Sequence, residues 1–205
     1  RNSHIHDLCA KKIPLVFFDR VCEDIDAAKV LTDDFDSGYS ATEHLISKGC
    51  RQIAFLAMSE NLAIINHRQR GYEEALRVHG LQHNKNLINC KNSEADCLSL
   101  IRRKLKNKNR PDGIVGSVEK LTTAVYTICN ELKLKIPQDV KVISFSSLQI
   151  ASLLNPSLTT ITQPAFEMGK TAAKLLFKAL EKKNLNAKGE TLVLPSILVE
   201  RGSTQ

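Results

Sequence analysis

The stretch from Val30 to Met58, VLTDDFDSGYSATEHLISKGCRQIAFLAM, constrains the fold more than any other part of the chain. It opens on a short apolar strand pattern, turns through acidic residues, runs as a helix and closes in a second strand pattern. Asp36 or Ser37 is placed to cap the helix by accepting an otherwise orphaned backbone N–H. Lys48 followed by Gly49 supplies a positive last turn and a left-handed stop. Between these signals Ala41, Thr42, Leu45 and Ile46 recur at helical spacing and mark one buried face. Ile53 to Met58 has no polar alternation, the pattern of a parallel strand covered by helices on both sides. The unit is one α/β crossover.

The same alternation continues along the chain. Pro14 leads into an apolar strand at Leu15 to Phe18, and helices are predicted over Arg68 to Val78, Glu94 to Lys106, Leu121 to Leu132 and Phe166 to Leu180. Strands are predicted at Leu87 to Asn89, Ile114-Val115, Val140 to Phe145 and Leu158 to Ile161, with two short strands ending at Val199. Strands separated by helices, repeated along a chain, require crossovers and a parallel sheet with helices on both faces. The fold class is therefore α/β, doubly wound. No apolar run approaches the roughly 20 residues of a membrane span, so no membrane association is expected.

The start, RNSHIHDLCAKK, has no apolar segment of a secretory signal and reads as the beginning of an excerpt. The six cysteines, at 9, 22, 50, 90, 97 and 129, form no CxxC pair, and are read as reduced thiols of a cytoplasmic protein, disulfides being the alternative. The net charge of +7 allows attraction to polyanions, and the strongest basic run, Arg102 to Arg110, reads as a solvated helix end with a phosphate-contacting patch as the rival.

Ligands of doubly wound sheets bind beyond the carboxyl ends of the strands. The polar tips there are Asp34 to Asp36, Ser59 to Arg68, Val118-Glu119, Ser146-Ser147 and Gln163. No GxGxxG, GxxxxGK[ST], GxSxG or HExxH is present, so the chain is not expected to be an enzyme or to hold a cofactor or a metal. The enzymatic rival would use Asp19, Asp34, Asp36 or Glu119 as acid–base groups.

Five segments in order carry a resemblance: PLVFFDR at 14–20, DDFDSGYSATEHLISKGCRQIAFL at 33–56, RQRGYEEAL at 68–76, RPDGIVGSVEKLTTAVYTICNELKLKIPQDVKVISFSS at 110–147, and NPSLTTITQPAFEMGKTAAKLL at 155–176, followed by LPSILVERGS. Together they resemble the effector-binding core of lactose-repressor (LacI/GalR) family transcription regulators, which have the two-lobed type I periplasmic-binding-protein fold. The resemblance implies that the DNA-binding head, the hinge and the first strands of the N-terminal lobe are absent from this chain. It places an incomplete N-terminal lobe at 1–48 plus 164–191 and a C-terminal lobe at 49–163 plus 192–205, with the crossing at Gly49 and an effector in the cleft between them.

Carried over residue by residue, Arg68 matches the family arginine that contacts the effector. Phe35 and Asp36 fall where the family places a ring and a polar contact, with core filling and helix capping as their rival roles. The family's common Asn-Asp after the strand at Ile114 is here Val118-Glu119, and its usual aspartate after the strand at Val142 is Ser146. Without that aspartate Arg68 would keep more positive charge, which favours a phosphorylated or acidic sugar. Glu119 is a candidate replacement carboxylate, and Gln163 and Ser147 complete the polar set. The implied protein is a homodimeric, sugar-responsive regulator that binds operator DNA through its missing head. The alternative is a sugar-binding protein of a transport system with the same fold.

Overall fold

A computed structural model describes residues 3–22, 24–58, 62–90, 93–181 and 190–205. In chain order the elements are α1 (Ser3–Ala10), β1 (Val16–Phe18), β2 (Ala28–Thr32), α2 (Asp34–Ser47), β3 (Ile53–Ala57), α3 (Ala63–Val78), β4 (Asn86–Asn89) and α4 (Glu94–Lys106). They continue with β5 (Gly113–Gly116), α5 (Glu119–Glu131), β6 (Lys141–Phe145), β7 (Thr159–Thr162), α6 (Ala165–Glu181), β8 (Thr191–Leu194) and β9 (Ile197–Val199). Between β6 and β7 the chain makes a 3-10 turn at Gln149–Ser152.

The chain forms two units, Arg1–Asp33 with Pro164–Pro195, and Asp34–Gln163 with Ser196–Gln205. The first holds a three-stranded parallel sheet in the order β1-β2-β8. Ala28 and Val30 of β2 meet Met168, Ala172 and Leu175 of α6, while Cys22, Ile25 and Ala27 pack with Ile5, Leu15 and Phe17.

The second unit holds a six-stranded sheet in the order β4-β3-β5-β6-β7-β9. All its pairings are parallel except β7 with β9, which is antiparallel and departs from the wholly parallel sheet expected. The strand period of two divides its core. Phe55, Val115, Ile143 and Ile161 point to the face covered by α2 and α3, with Ala41, Leu45, Tyr72 and Leu76. Ala54, Leu56, Ile114 and Val142 point to the face covered by α4 and α5, with Ile101, Leu121, Val125 and Ile128. Full burial of such side chains stabilises by about 1.5–3 kcal/mol each, and β3, foreseen as apolar throughout, is buried at every residue.

The crossing foreseen at Gly49 is displaced. Gly49 does end α2, with φ +90°, but the division between units falls at Asp33-Asp34, and α2 belongs to the second unit. The cause is a close crossing of α2 on α3. A Cβ on Gly38 would stand 2.1 Å from the Arg68 carbonyl oxygen, and one on Gly71 would stand 2.0 Å from that of Phe35. Backbone meets backbone there, so α2 travels with α3. The helix also starts earlier than foreseen, making Asp36 a first-turn residue instead of the cap.

Cysteine usage departs from the sequence reading in one place. Cys90 and Cys97 are joined by a disulfide, because β4 ends where α4 begins and the two Cα atoms lie 4.8 Å apart, within the usual span for such a bond. Cys22, Cys50 and Cys129 are buried and outside any disulfide, and Cys9 is exposed. Both ends of the basic run are paired at the surface, Arg102 with Glu131 at 2.6 Å and Arg110 with Asp139 at 3.2 Å.

Two outcomes test this packing. Gly71→Ala forces a methyl into a backbone carbonyl and is expected to cost about 3 kcal/mol, the upper end of the usual overpacking penalty, read as a lower midpoint in urea denaturation. The second concerns His44, whose Nε2 lies 2.9 Å from Thr204 Oγ1. Burial pushes its imidazole below the usual range, with Glu200 opposing and Lys48 and Lys141 assisting. The unfolded chain then takes up the proton first, so stability falls as pH drops below about 6.5. His44→Gln is expected to flatten the difference in stability between pH 7.5 and 5.5.

Candidate functional site

Arg68 sits in the second turn of α3, five residues beyond the helix start at Ala63, where the sequence had placed it at the helix start. Its side chain is 3% exposed. A guanidinium buried that deeply needs a carboxylate and further acceptors. Asp34, the first residue of α2, provides the carboxylate: Arg68 Nε donates to Asp34 Oδ1 at 2.7 Å. Nη1 donates to the Ser117 carbonyl at 2.8 Å, and the guanidinium carbon stands 4.0 Å from the Phe145 ring centroid. Cation–π geometry of this kind adds a favourable contact in a desolvated setting.

This overturns the argument for an anionic effector. That argument needed Arg68 to lack an acidic partner, and Asp34 neutralises it directly. The signal was present in the acidic cluster Asp33-Asp34-Asp36, but only the helix crossing selects which of the three carboxylates meets the arginine.

Beside this pair lies a second one. Ser146, the residue after β6, donates through Oγ to Glu119 Oε2 in a very short contact and accepts the Leu148 N–H at 3.2 Å. Glu119 opens α5, where the positive helix end favours a carboxylate. The two pairs adjoin through consecutive residues, since Ser117 and Phe145 hold Arg68 while Glu119 and Ser146 follow on the same strand ends of β5 and β6. Ser117 Oγ is buried without a hydrogen-bond partner, and below it Thr122 Oγ1 donates to Ser144 Oγ at 2.7 Å.

The remaining candidates divide. Val118 is the N-cap of α5, makes no side-chain cap and packs partly into the core, so it offers no polar contact. Phe35 is 38% exposed, which removes its rival role as core filling. Asp36 and Ser147 are also exposed, and Gln163 is half-buried just after β7. The tip expected from Ser59 onward lies outside the described residues at 59–61. Asp19, offered as an acid–base group, lies in the first unit, and among the described residues no three His, Cys, Asp or Glu side chains converge as metal ligands would.

Removing the acid of the buried pair is expected to be severe. Asp34→Ala leaves an unpaired buried guanidinium and should cost about 3–5 kcal/mol. Asp34→Ala combined with Arg68→Met removes both charges and should recover most of that loss in urea denaturation.

Comparison with known proteins agrees with this architecture. A family model described as periplasmic binding protein-like domain matches residues 42–204. The ribose operon repressor of Haemophilus influenzae is 30% identical over 195 residues, covering 95% of this chain and 58% of that protein. The HTH-type transcriptional regulator RegA of Clostridium saccharobutylicum is 29% identical over 177 residues, covering 85% of this chain and 53% of its own. The chain thus spans between about half and three fifths of the length of these curated relatives. Among solved structures, a LacI family transcriptional regulator from Enterococcus faecium with bound ribose superposes with a TM-score of 0.88 at 27% identity, covering 98% of this chain and 74% of that one. With the family model spanning most of its length, the chain belongs to the periplasmic binding protein-like domain family, in the form of a LacI/GalR effector-binding core.

Proposed function

We propose that this chain is the effector-sensing core of a cytoplasmic transcription regulator of carbohydrate use, and that its effector is a small neutral sugar. The observation that supports this most is the charge-balanced polar site at the strand ends. Arg68 is neutralised by Asp34, and Glu119 with Ser146 adds a carboxylate and a hydroxyl where vicinal sugar hydroxyls would find acceptors and donors. Phe35, exposed on the first turn of α2, supplies an apolar ring for a sugar face. The ribose held by the Enterococcus faecium relative fits this chemistry.

The regulatory step follows from differential binding. An effector that favours one arrangement of a homodimer over another shifts the population, and a coupling of about 1–3 kcal/mol changes operator affinity roughly 5- to 150-fold. Operator contact is assigned to a part of the protein outside these 205 residues, in keeping with the longer relatives. The reading of a transport binding protein is the weaker one, since the relatives reported above are named as regulators.

Calorimetry against ribose, other neutral pentoses and hexoses, and their phosphates tests the ligand class. Neutral sugars are expected to bind more tightly, and a consistent preference for the phosphates would sink the charge-balanced reading. Glu119→Gln should weaken sugar binding by about 1.5–3 kcal/mol, the worth of a charged hydrogen bond, with little change in folding stability. With the full-length protein, the sugar that binds should alter operator affinity in a DNA-binding titration.

A further inference from the structure

Cys90 and Cys97 stand apart from the other cysteines. Cys90 directly follows β4, the edge strand of the six-stranded sheet, and Cys97 is the fourth residue of α4. Both line a cavity of about 430 Å3 together with Met58, Ser93, Lys120 and Thr123, which gives a small reagent a route to the two sulfurs. Both also belong to the core cluster that contains Leu56, Ile88 and Ile101, so a bond between them ties the start of α4 to the sheet edge.

The setting suits thiol chemistry. Ser93 and Asp96 form a capping box at the start of α4, and the positive end of a helix favours a thiolate in its first turns. Lys120 reaches the same cavity and is paired there with Glu94 at 2.9 Å, so the field is a mixed one of cation, carboxylate and helix end. Cys50 and Cys129 contrast with this. Burial pushes their thiols up to about 12 and about 11, leaving them inert near neutral pH.

We propose that Cys90 and Cys97 form a reversible dithiol–disulfide site, oxidised by low-molecular-weight disulfides that enter through this cavity. In the first step the Cys97 thiolate attacks one sulfur of the small disulfide, forming a mixed disulfide and releasing one small thiolate. The Cys90 thiolate then attacks the Cys97 sulfur and expels the second. The two protein thiols lose two electrons, the small disulfide gains them, and the two protons end on the two small thiols. A small dithiol reverses the sequence.

Mass measurement on the full chain tests this independently of any sugar. The protein is reduced with dithiothreitol, freed of reductant, incubated with glutathione disulfide, then denatured and blocked with N-ethylmaleimide. Two of the six cysteines are expected to escape alkylation without retaining glutathione. Because Lys91 lies between the pair, trypsin should yield peptides Asn86–Lys91 and Asn92–Arg102 joined through Cys90 and Cys97. Renewed dithiothreitol should restore six alkylated cysteines. Cys90→Ser removes the resolving thiol and should hold one glutathione on Cys97, and if that variant does not fold the wild-type masses still decide. Six alkylated cysteines after the oxidant, a linkage through other cysteines, or a bond that dithiothreitol leaves intact would each overturn the proposal.

Discussion

The contact on which the rest of the site depends is the crossing of α2 on α3, where Gly38 and Gly71 let one backbone lie against the other. Side chains larger than hydrogen would clash with backbone there and force the helices apart. At the observed distance Asp34 at the head of α2 reaches Arg68 in α3, and a guanidinium that would be intolerable alone becomes half of a buried, hydrogen-bonded ion pair with no net charge. Arg68 is then held from three directions, by Asp34, by the Ser117 carbonyl and by the Phe145 ring. A group so held is pre-organised, and it keeps its orientation without being ordered by a ligand.

The same geometry changes the character of the site. A lone arginine among serines would be an anion trap. An arginine already bonded to aspartate, beside a serine already bonded to glutamate, is instead a field of oriented donors and acceptors with little net charge. The consecutive residues Ser117 to Glu119 and Phe145-Ser146 make it one surface, because β5 and β6 are neighbours in parallel register and end together.

The opposite face of the second unit follows different chemistry. There α4 and α5 cover Ala54, Leu56, Ile114 and Val142, and the disulfide joins that apolar cluster to the sheet edge. Elsewhere in the second unit polar residues act as local ties. Asp112 accepts the backbone N–H groups of Arg51 and Gln52 and so anchors the turn before β3. Ser203 and Thr204 carry the end of the chain onto β6 and β7, with Ser203 Oγ donating to the Val142 carbonyl and Thr204 Oγ1 meeting that of Thr159.

The chain by itself determined the class of fold and most of its elements. Hydrophobic period separates strand from helix locally, and β3, read as apolar throughout, lies buried between two parallel neighbours. Gly49 marked the end of α2, and the face of Ala41, Thr42, Leu45 and Ile46 is the buried one. The position of Glu119 and Ser146 at the polar strand ends was also legible. Tertiary structure alone decided the partners. Asp33, Asp34 and Asp36 are equivalent in sequence, and only the angle and closeness of the helix crossing brings Asp34 to Arg68. The passage between units moved from Gly49 to Asp33-Asp34 for the same reason, since a helix belongs with whatever its backbone touches. Cys90 and Cys97 became a pair because a strand end and a helix start meet, a distance that spacing along the chain does not encode. Local pattern follows from the chemistry of neighbours in sequence; ion pairs, disulfides and unit boundaries follow from neighbours in space.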